Sequence, residues 1–273
     1  MSTDAAPRTD DASRWARYVA LGDSMTEGLW DVDPATPGLP RGWADLLAER
    51  LARRREQPLE YANLAVRGRL LGEIVAEQVP AALELAPDLV SLIGGGNDLL
   101  RPGSDPDALA GRLEGAVRRL RATGTDVLLA TGMDTRGSGV LRATRSRTAV
   151  YNSHVWSIAR RHDAYVLDVW GMRSLHDWRM WAADRIHLTT AGHERVTQAA
   201  LVALGLGADD PAWDDPLEPL PPVARAERLR GDLTWVRTHA GPWVGRRLRR
   251  RSSGDARRPK HAVPVVIERT QRG

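Results

Sequence analysis

The chain has 273 residues, enough to bury a sizeable core, and its length fits one domain of about 200 residues plus an appendage. It contains no cysteine, which excludes disulfides and thiolate metal sites. The formal net charge is +4, and no stretch approaches the roughly 18 apolar residues of a membrane span.

The first half of the chain alternates predicted strands with a helix. Residues 1–14 are polar and lack the apolar core of a signal peptide, so we expect a disordered start and a cytoplasmic protein. The apolar run 18–21 predicts a buried strand that stops at Gly22. A Pro/Gly-rich loop follows, and then Trp43, Leu46, Leu47 and Leu51 recur at helical spacing. Two further strands are predicted over 59–66 and 89–93.

The second half continues the alternation. Asp105 is a candidate N-cap before Pro106, and Gly124 follows the end of that predicted helix. Strands are predicted over 127–130 and 165–167, with a helix between them over 143–161. A last helix is predicted to begin near Thr189 or Thr190 and to run to Leu204.

This order predicts a three-layer α/β/α sandwich with a central parallel sheet of about five strands, covered by helices on both faces. We assign residues 15–207 to this domain, 208–224 to a Pro/Asp-rich linker or strap, and 225–252 to an Arg-rich helical extension. Residues 253–273 are predicted to be a disordered tail.

The basic charge is concentrated in the C-terminal extension. Residues 225–273 hold 14 Lys+Arg and 4 Asp+Glu, a net charge of +10, which leaves −6 for residues 1–224. Lys260 is the single lysine of the chain. Such an arginine bias reflects genome composition more often than a binding surface.

Polar clusters follow three of the predicted strands. They are Gly22-Asp23-Ser24, Arg67-Gly68 and Gly96-Asn97-Asp98, and in open α/β sheets ligands bind at these carboxyl ends of the strands. A serine nucleophile needs a base, a group that orients the base, and donors for an oxyanion. Asp184 and His187 lie three residues apart just before the last helix, a spacing that lets the carboxylate hydrogen-bond the imidazole.

These blocks resemble those of the SGNH hydrolases of the GDSL esterase/lipase family. The matching blocks are Gly22-Asp23-Ser24, "NLAVRG" ending in Gly68, Gly95-Gly96-Asn97-Asp98, and Asp184-Arg185-Ile186-His187, with Met25 where the family often has Leu. The resemblance implies the flavodoxin-like SGNH fold, with Ser24 as nucleophile, His187 as base and Asp184 as its orienter. It also implies an oxyanion hole formed by the N–H groups of Ser24 and Gly68 and the amide of Asn97. The implied activity is hydrolysis of a small-molecule or lipid ester through an acyl-enzyme, without metal or cofactor.

Other interpretations stay open from the residues alone. Taken singly, Ser24, Gly68 and Asn97 are typical turn residues, and Asp168 could replace Asp184 as the partner of the histidine. An α/β-hydrolase elbow would need Gly-x-Ser-x-Gly, and the second glycine is missing after Ser24. A metallohydrolase would be indicated by His-Glu-x-x-His, and a dinucleotide-binding protein by Gly-x-Gly-x-x-Gly after the first strand. The sequence contains neither motif at those places.

A docking protein is the alternative from a different class. In that case the cations near Arg246–Arg258 would bind anionic lipid or nucleic acid, and catalysis would be weak or absent. The substrate also stays open. Trp30, Trp178 and Trp181 could line an acyl or sugar site, and Arg67 and Arg69 could favour an anionic substrate.

Overall fold

The computed structural model describes residues 12–31, 38–138, 141–221, 224, 230–231, 233–240 and 254–269. The described residues contain one six-stranded sheet with the order β5-β4-β3-β1-β2-β6. The strands are β1 (Arg17–Leu21), β2 (Leu59–Asn63), β3 (Leu89–Leu92), β4 (Asp126–Ala130), β5 (Tyr165–Leu167) and β6 (His261–Ile267). Strands β1 to β5 are mutually parallel, and β6 pairs with β2 in the antiparallel direction.

Helices cover both faces of the sheet. In the described part of the chain they are α1 (Ser24–Glu27), α2 (Trp43–Arg53), α3 (Leu71–Glu73), α4 (Val79–Glu84), α5 (Gly96–Leu99), α6 (Pro106–Arg121), α7 (Arg145–His162) and α8 (Thr190–Ala203). A π-helical turn, Ile74–Gln78, joins α3 to α4. The three-layer α/β/α prediction is therefore confirmed, and its five parallel strands are β1 to β5.

The alternation of side chains along β1 separates two cores. Tyr18 and Ala20 pack in a cluster with residues of α2 and α8, whereas Val19 and Leu21 pack on the other face with residues of α4, α6 and α7. Because successive strand side chains point to opposite faces, a fully apolar strand is what a sheet covered on both sides requires. This burial fixes β1, and with it the turn that follows Leu21.

The C-terminal prediction was wrong for part of its range. Residues 253–273 were assigned to a disordered tail, yet His261–Ile267 form β6, paired from Leu59↔Ile267 to Asn63↔His261. Without β6, the backbone N–H and C=O groups on that edge of β2 would lack partners in the sheet, which favours pairing with a β-branched segment. Pro264 is compatible with this strand because β6 lies at the sheet edge.

The structure also differs from the sequence prediction at the N-terminus, within 1–14. Residues Ala12–Arg14 form a short 3-10 helix in which Ala12 is buried, and Arg55 donates to the carbonyls of Ala12 and Ser13. Burial of Ala12 beside Trp15 explains the order, which a purely polar composition does not reveal. Residues 1–11 lie outside the described residues.

The segment predicted as linker or strap, 208–224, runs along the domain surface over its described part. Asp209 forms ion pairs with Arg50 and Arg54, and Asp214 accepts hydrogen bonds from the N–H and hydroxyl of Ser174. Within the predicted extension 225–252, Val236–Ala240 form a π-helical turn, and the Arg246–Arg251 cluster lies outside the described residues. Among the described helices, none combines the length and apolar character needed to cross a bilayer.

Candidate active site

Ser24 stands at the carboxyl end of β1, on a turn with no room for a side chain at Gly22. A Cβ at Gly22 would lie 2.5 Å from Thr26 Oγ1 and 2.7 Å from the Ile93 carbonyl oxygen. Gln78 holds the same glycine from both sides, since its Oε1 accepts from Gly22 N at 2.8 Å and its Nε2 donates to Gly22 O at 2.9 Å. Ser24 then begins α1, and Asp23 caps this helix by accepting from Met25 N.

Asp184 and His187 share a tight turn near the C-terminal end of the domain sequence, just before α8. One Asp184 oxygen accepts from the backbone N–H groups of Ile186 and His187, both at 3.0 Å. Arg185, which lies between Asp184 and Ile186, has a left-handed φ of 57°. The second oxygen of Asp184 lies 2.6 Å from His187 Nδ1. The carboxylate thus fixes both the backbone of the turn and the orientation of the ring.

The turn brings the imidazole to the serine. His187 Nε2 lies 2.7 Å from Ser24 Oγ, across 163 positions of sequence. Burial acts to raise the pKa of Asp184, but the hydrogen bond from His187 and the charge of that ring outweigh it and lower this pKa to about 2. An ionised Asp184 favours the tautomer that carries its proton on Nδ1, which leaves Nε2 free to accept the proton of Ser24.

The second and third blocks follow β2 and β3 along the chain. Gly68 adopts a left-handed φ of 79°, and Asn97 sits on α5 directly after β3. The amide of Asn97 donates to Asp23 Oδ2 at 3.0 Å and to the Arg69 carbonyl at 3.2 Å. Burial raises the pKa of Asp23 to about 6, and the Asn97 hydrogen bond opposes that rise. The amide of Asn97 is therefore hydrogen-bonded to the loops that contain Asp23 and Arg69.

The alternative carboxylate lies in a different set of hydrogen bonds. Asp168 Oδ1 accepts from the hydroxyl of Thr131 at 3.1 Å and from Gly171 N at 3.2 Å. The carboxylate that the structure places against His187 belongs to Asp184. Asp98, expected to have a structural role, accepts from Leu71 N at 2.9 Å.

One cavity adjoins the hydroxyl–imidazole pair, and a second cavity adjoins the first. The first, of about 160 Å³, is lined by Ser24 and His187 and by mainly apolar side chains such as Leu99, Leu100 and Val169. The second, of about 300 Å³, is lined by Arg136, His176 and Arg185 among others. Both cavities share three lining residues, Met133, Thr135 and Leu141.

Of the tryptophans and arginines that the sequence suggested as substrate contacts, two tryptophans line the second cavity. Both arginines form ion pairs within the domain. Trp178 and Trp181 line the second cavity, whereas Trp30 is half exposed and lines neither. Arg67 forms a buried ion pair with Glu27, and Arg69 pairs with Glu73 and Glu77. These pairs assign both arginines structural contacts within the domain.

Sequence reasoning missed four residues that contact the predicted site segments. They are Glu27, Gln78, Trp235, whose indole N–H donates to the Asp184 carbonyl at 2.8 Å, and Lys260. Only Lys260 carried a signal, because it is the single lysine among 39 basic residues. The other three contacts join segments that are distant in sequence.

A protein-family model, described as the GDSL-like Lipase/Acylhydrolase family, matches residues 20–195, well over half of the chain. The chain belongs to this family. It is an SGNH esterase or acylhydrolase, and its general activity is ester hydrolysis. A search of the curated proteins gives no match to this esterase.

Three solved structures with the same fold illustrate the similarity. LAE5, an alpha/beta hydrolase enzyme from the metagenome of Lake Arreo, Spain, is 26% identical, with a TM-score of 0.59 over 70% of this esterase and 95% of that chain. TesA is 25% identical, with a TM-score of 0.56 over 69% and 97%. A variant of Axe2, an acetyl xylan esterase from Geobacillus stearothermophilus, shares the fold at 19% identity, with a TM-score of 0.62 over 74% and 100%.

Proposed function

We propose that this esterase is a serine hydrolase that cleaves carboxylic esters of a small molecule or lipid. The hydrogen-bonded series Ser24 Oγ, His187 and Asp184 is the observation that carries the proposal. His187 takes the proton of Ser24 as the hydroxyl attacks the ester carbonyl, and Asp184 stabilises the imidazolium that forms. The alcohol leaves with a proton from His187, and water activated by the same ring then hydrolyses the acyl-enzyme.

The oxyanion would be held by the N–H groups of Ser24 and Gly68 and by the amide of Asn97. Ser24 N begins α1, so it has no acceptor within its own helix. Asn97 donates to Asp23 and to the Arg69 carbonyl in the free protein, so serving the oxyanion requires it to release or share one of these acceptors. Donors at this position lower the barrier because they stabilise the negative charge that develops in the transition state.

Replacing Asn97 by alanine should lower kcat/KM by about 10² to 10³-fold while the fold is retained, because one oxyanion donor is lost. Steady-state kinetics with a p-nitrophenyl ester and a thermal melt measure the two effects. Gln198→Ala is the control, since this amide accepts from Asp209 N on the strap and should leave the rate unchanged. An Asn97→Ala rate within threefold of the native rate would contradict the assignment.

The first cavity would hold the acyl chain. Its walls are mainly apolar, Ser24 and His187 line it, and a volume of about 160 Å³ fits a group of about six carbons, since a benzene molecule occupies an apolar cavity of about 150 Å³. We therefore expect the esterase to prefer acyl groups of about four to eight carbons.

A hydrolysis screen with p-nitrophenyl esters from acetyl to palmitoyl tests this proposal. Native protein should hydrolyse the medium-chain esters best, and a fluorophosphonate probe should label Ser24, located by mass spectrometry. In the matched variant Val169→Phe the added volume should shift the preference toward acetyl. Absence of both labelling and hydrolysis would refute the serine-hydrolase proposal, and a palmitoyl optimum would refute the acyl site alone.

The second cavity would hold the alcohol part. Arg136 and Arg185 line it, and Asp134 is already paired with both Arg136 and Arg145. These cations favour an alcohol that carries a carboxylate or phosphate. The same screen therefore includes a phenyl ester and a carboxyphenyl ester that carry the same acyl group and differ only in the charge of the alcohol part. Arg136→Ala should remove a preference for the charged analogue, whereas Arg145→Ala, outside the cavity lining, should keep it.

A docking role remains as a second candidate because residues 225–273 carry a net charge of +10. The Arg246–Arg251 cluster lies outside the described residues. Salt-dependent retention of the native protein on anionic vesicles or DNA, lost when these arginines are replaced by glutamine, would support that role.

A further inference from the structure

The described C-terminal residues contact three of the site segments, although they lie outside the family match at 20–195. Trp235 donates to the Asp184 carbonyl, and Lys260 donates to the Glu27 carbonyl at the end of the Ser24 helix. Gly254 packs so close to the loop before Gly68 that a Cβ there would lie 2.0 Å from the Arg67 carbonyl oxygen. The C-terminal segment, defined here as residues 254–267, is therefore built against the nucleophile helix and the Gly68 loop.

Lys260 makes the most specific of these contacts. Its ammonium donates to Glu27 O at 2.7 Å, Pro40 O at 2.9 Å and Asp45 Oδ2 at 2.6 Å, and its side chain is only 4% exposed. An ammonium has three donors on one nitrogen, so all three are used. Arginine presents a planar fork of five donors and cannot direct a single nitrogen to three converging acceptors. This geometry explains a lysine here in a chain whose other cations are arginines.

Glu27 connects Lys260 to two parts of the predicted site. It is the last residue of α1, which begins with Ser24. Its buried carboxylate accepts from Arg67 N at 2.7 Å and pairs with the Arg67 guanidinium, next to Gly68. The carbonyl and the carboxylate of one residue thus tie Lys260 to the Ser24 helix and to the loop whose N–H is the second proposed oxyanion donor.

Stability alone is a weak reason for such a buried ion pair. Removing an ammonium and a carboxylate from water costs free energy that their attraction often only offsets, and apolar residues of similar volume are frequently as good. β6 already contacts the core through Ile267 and pairs with β2 along its length. What the buried Lys260 adds is a hydrogen bond to the Glu27 carbonyl, which fixes the position of the end of α1.

We propose that Lys260 is a positioning residue for ester hydrolysis. It holds α1 and, through Glu27, the Gly68 loop in fixed positions relative to each other. This inference rests on the proposed serine-hydrolase function. Catalysis depends on the relative position of α1 and the Gly68 loop, because a displacement of about 1 Å in a catalytic group can cost about 10²-fold in rate. A chain truncated at about residue 224 would lose this anchor together with the Arg246–Arg251 cluster. Truncation therefore cannot isolate the contribution of the arginines.

The test uses the full chain with Lys260→Met, which keeps the length of the side chain and removes its three donors. We expect kcat to fall about 10 to 100-fold with KM within about threefold, and fluorophosphonate labelling of Ser24 to slow in parallel. Lys260→Arg should not restore the rate. If Lys260→Met does not fold, Lys260→Gln, which keeps two donors, is measured against the same criterion.

Ile267→Ala is the matched control for general loosening of the strand. Ile267 lies on the same β6 but pairs with Leu59, at the opposite end of the sheet from Ser24. Its variant should lose thermal stability and keep kcat when assayed well below its melting temperature. Equal kcat losses in both variants, or a Lys260→Met rate within twofold of native, would overturn the inference. An inactive, unlabelled native chain would instead overturn the proposed function, and the inference with it.

Discussion

Replacing Ser24 by alanine is expected to lower kcat for ester hydrolysis by about 10⁵ to 10⁶-fold, to a residual rate set by binding and the oxyanion donors. The substitution removes one oxygen atom, the hydroxyl oxygen that lies 2.7 Å from His187 Nε2 and that would form the acyl-enzyme. Alanine is well tolerated in a helix, so α1 should persist. Hydrolysis of p-nitrophenyl butyrate, followed under saturating substrate, measures the loss.

Ser153→Ala provides the matched serine-to-alanine control. Ser153 lies on the exposed side of α7, where its hydroxyl donates to the Ala149 carbonyl one turn earlier. That variant should hydrolyse the ester at the native rate and take up the fluorophosphonate probe. Native hydrolysis by Ser24→Ala would mean that a different group attacks the carbonyl, and the serine-hydrolase assignment would be abandoned.

The site blocks could be predicted from sequence because each obeys local rules. Gly22 permits the turn after β1, Asp184 closes a turn of three residues onto His187, and parallel strands bring their carboxyl ends to one edge of the sheet. The helix around Asp105 and Pro106 begins where its capping signals predicted. The order of strands and blocks along the chain therefore predicts which segments lie at the same edge of the sheet. It does not predict the distances between their side chains.

The supporting contacts could not be predicted because they depend on distant partners. Gln78 holds Gly22 from 56 positions away, and Lys260 reaches Glu27 across 233 positions. The sequence prediction of a disordered tail over 253–273 misses β6 because that strand is stabilised by pairing with the edge of β2, a segment about 200 positions earlier in the chain. Asn97 was expected to point its amide at an oxyanion, and its contacts with Asp23 and Arg69 depend on how three loops pack.

Asp184→Asn is expected to lower kcat/KM by about 10⁴-fold at neutral pH, as loss of the orienting carboxylate does in serine hydrolases of this design. The asparagine oxygen can still accept from the N–H groups of Ile186 and His187, so the turn should survive. Its amide group, however, would donate to Nδ1. The proton of the neutral ring then moves to Nε2, where it blocks acceptance of the Ser24 proton.

Asp168→Asn is the control that separates the two candidate carboxylates. Asp168 binds the Thr131 hydroxyl and Gly171 N, so its variant should lose some stability and keep most of its activity. Kinetics for both variants at the same pH, with thermal melts to confirm folding, give the comparison. A larger loss in Asp168→Asn than in Asp184→Asn would assign the role of orienting His187 to Asp168. The reverse order is expected, because the oxygen 2.6 Å from His187 Nδ1 belongs to Asp184.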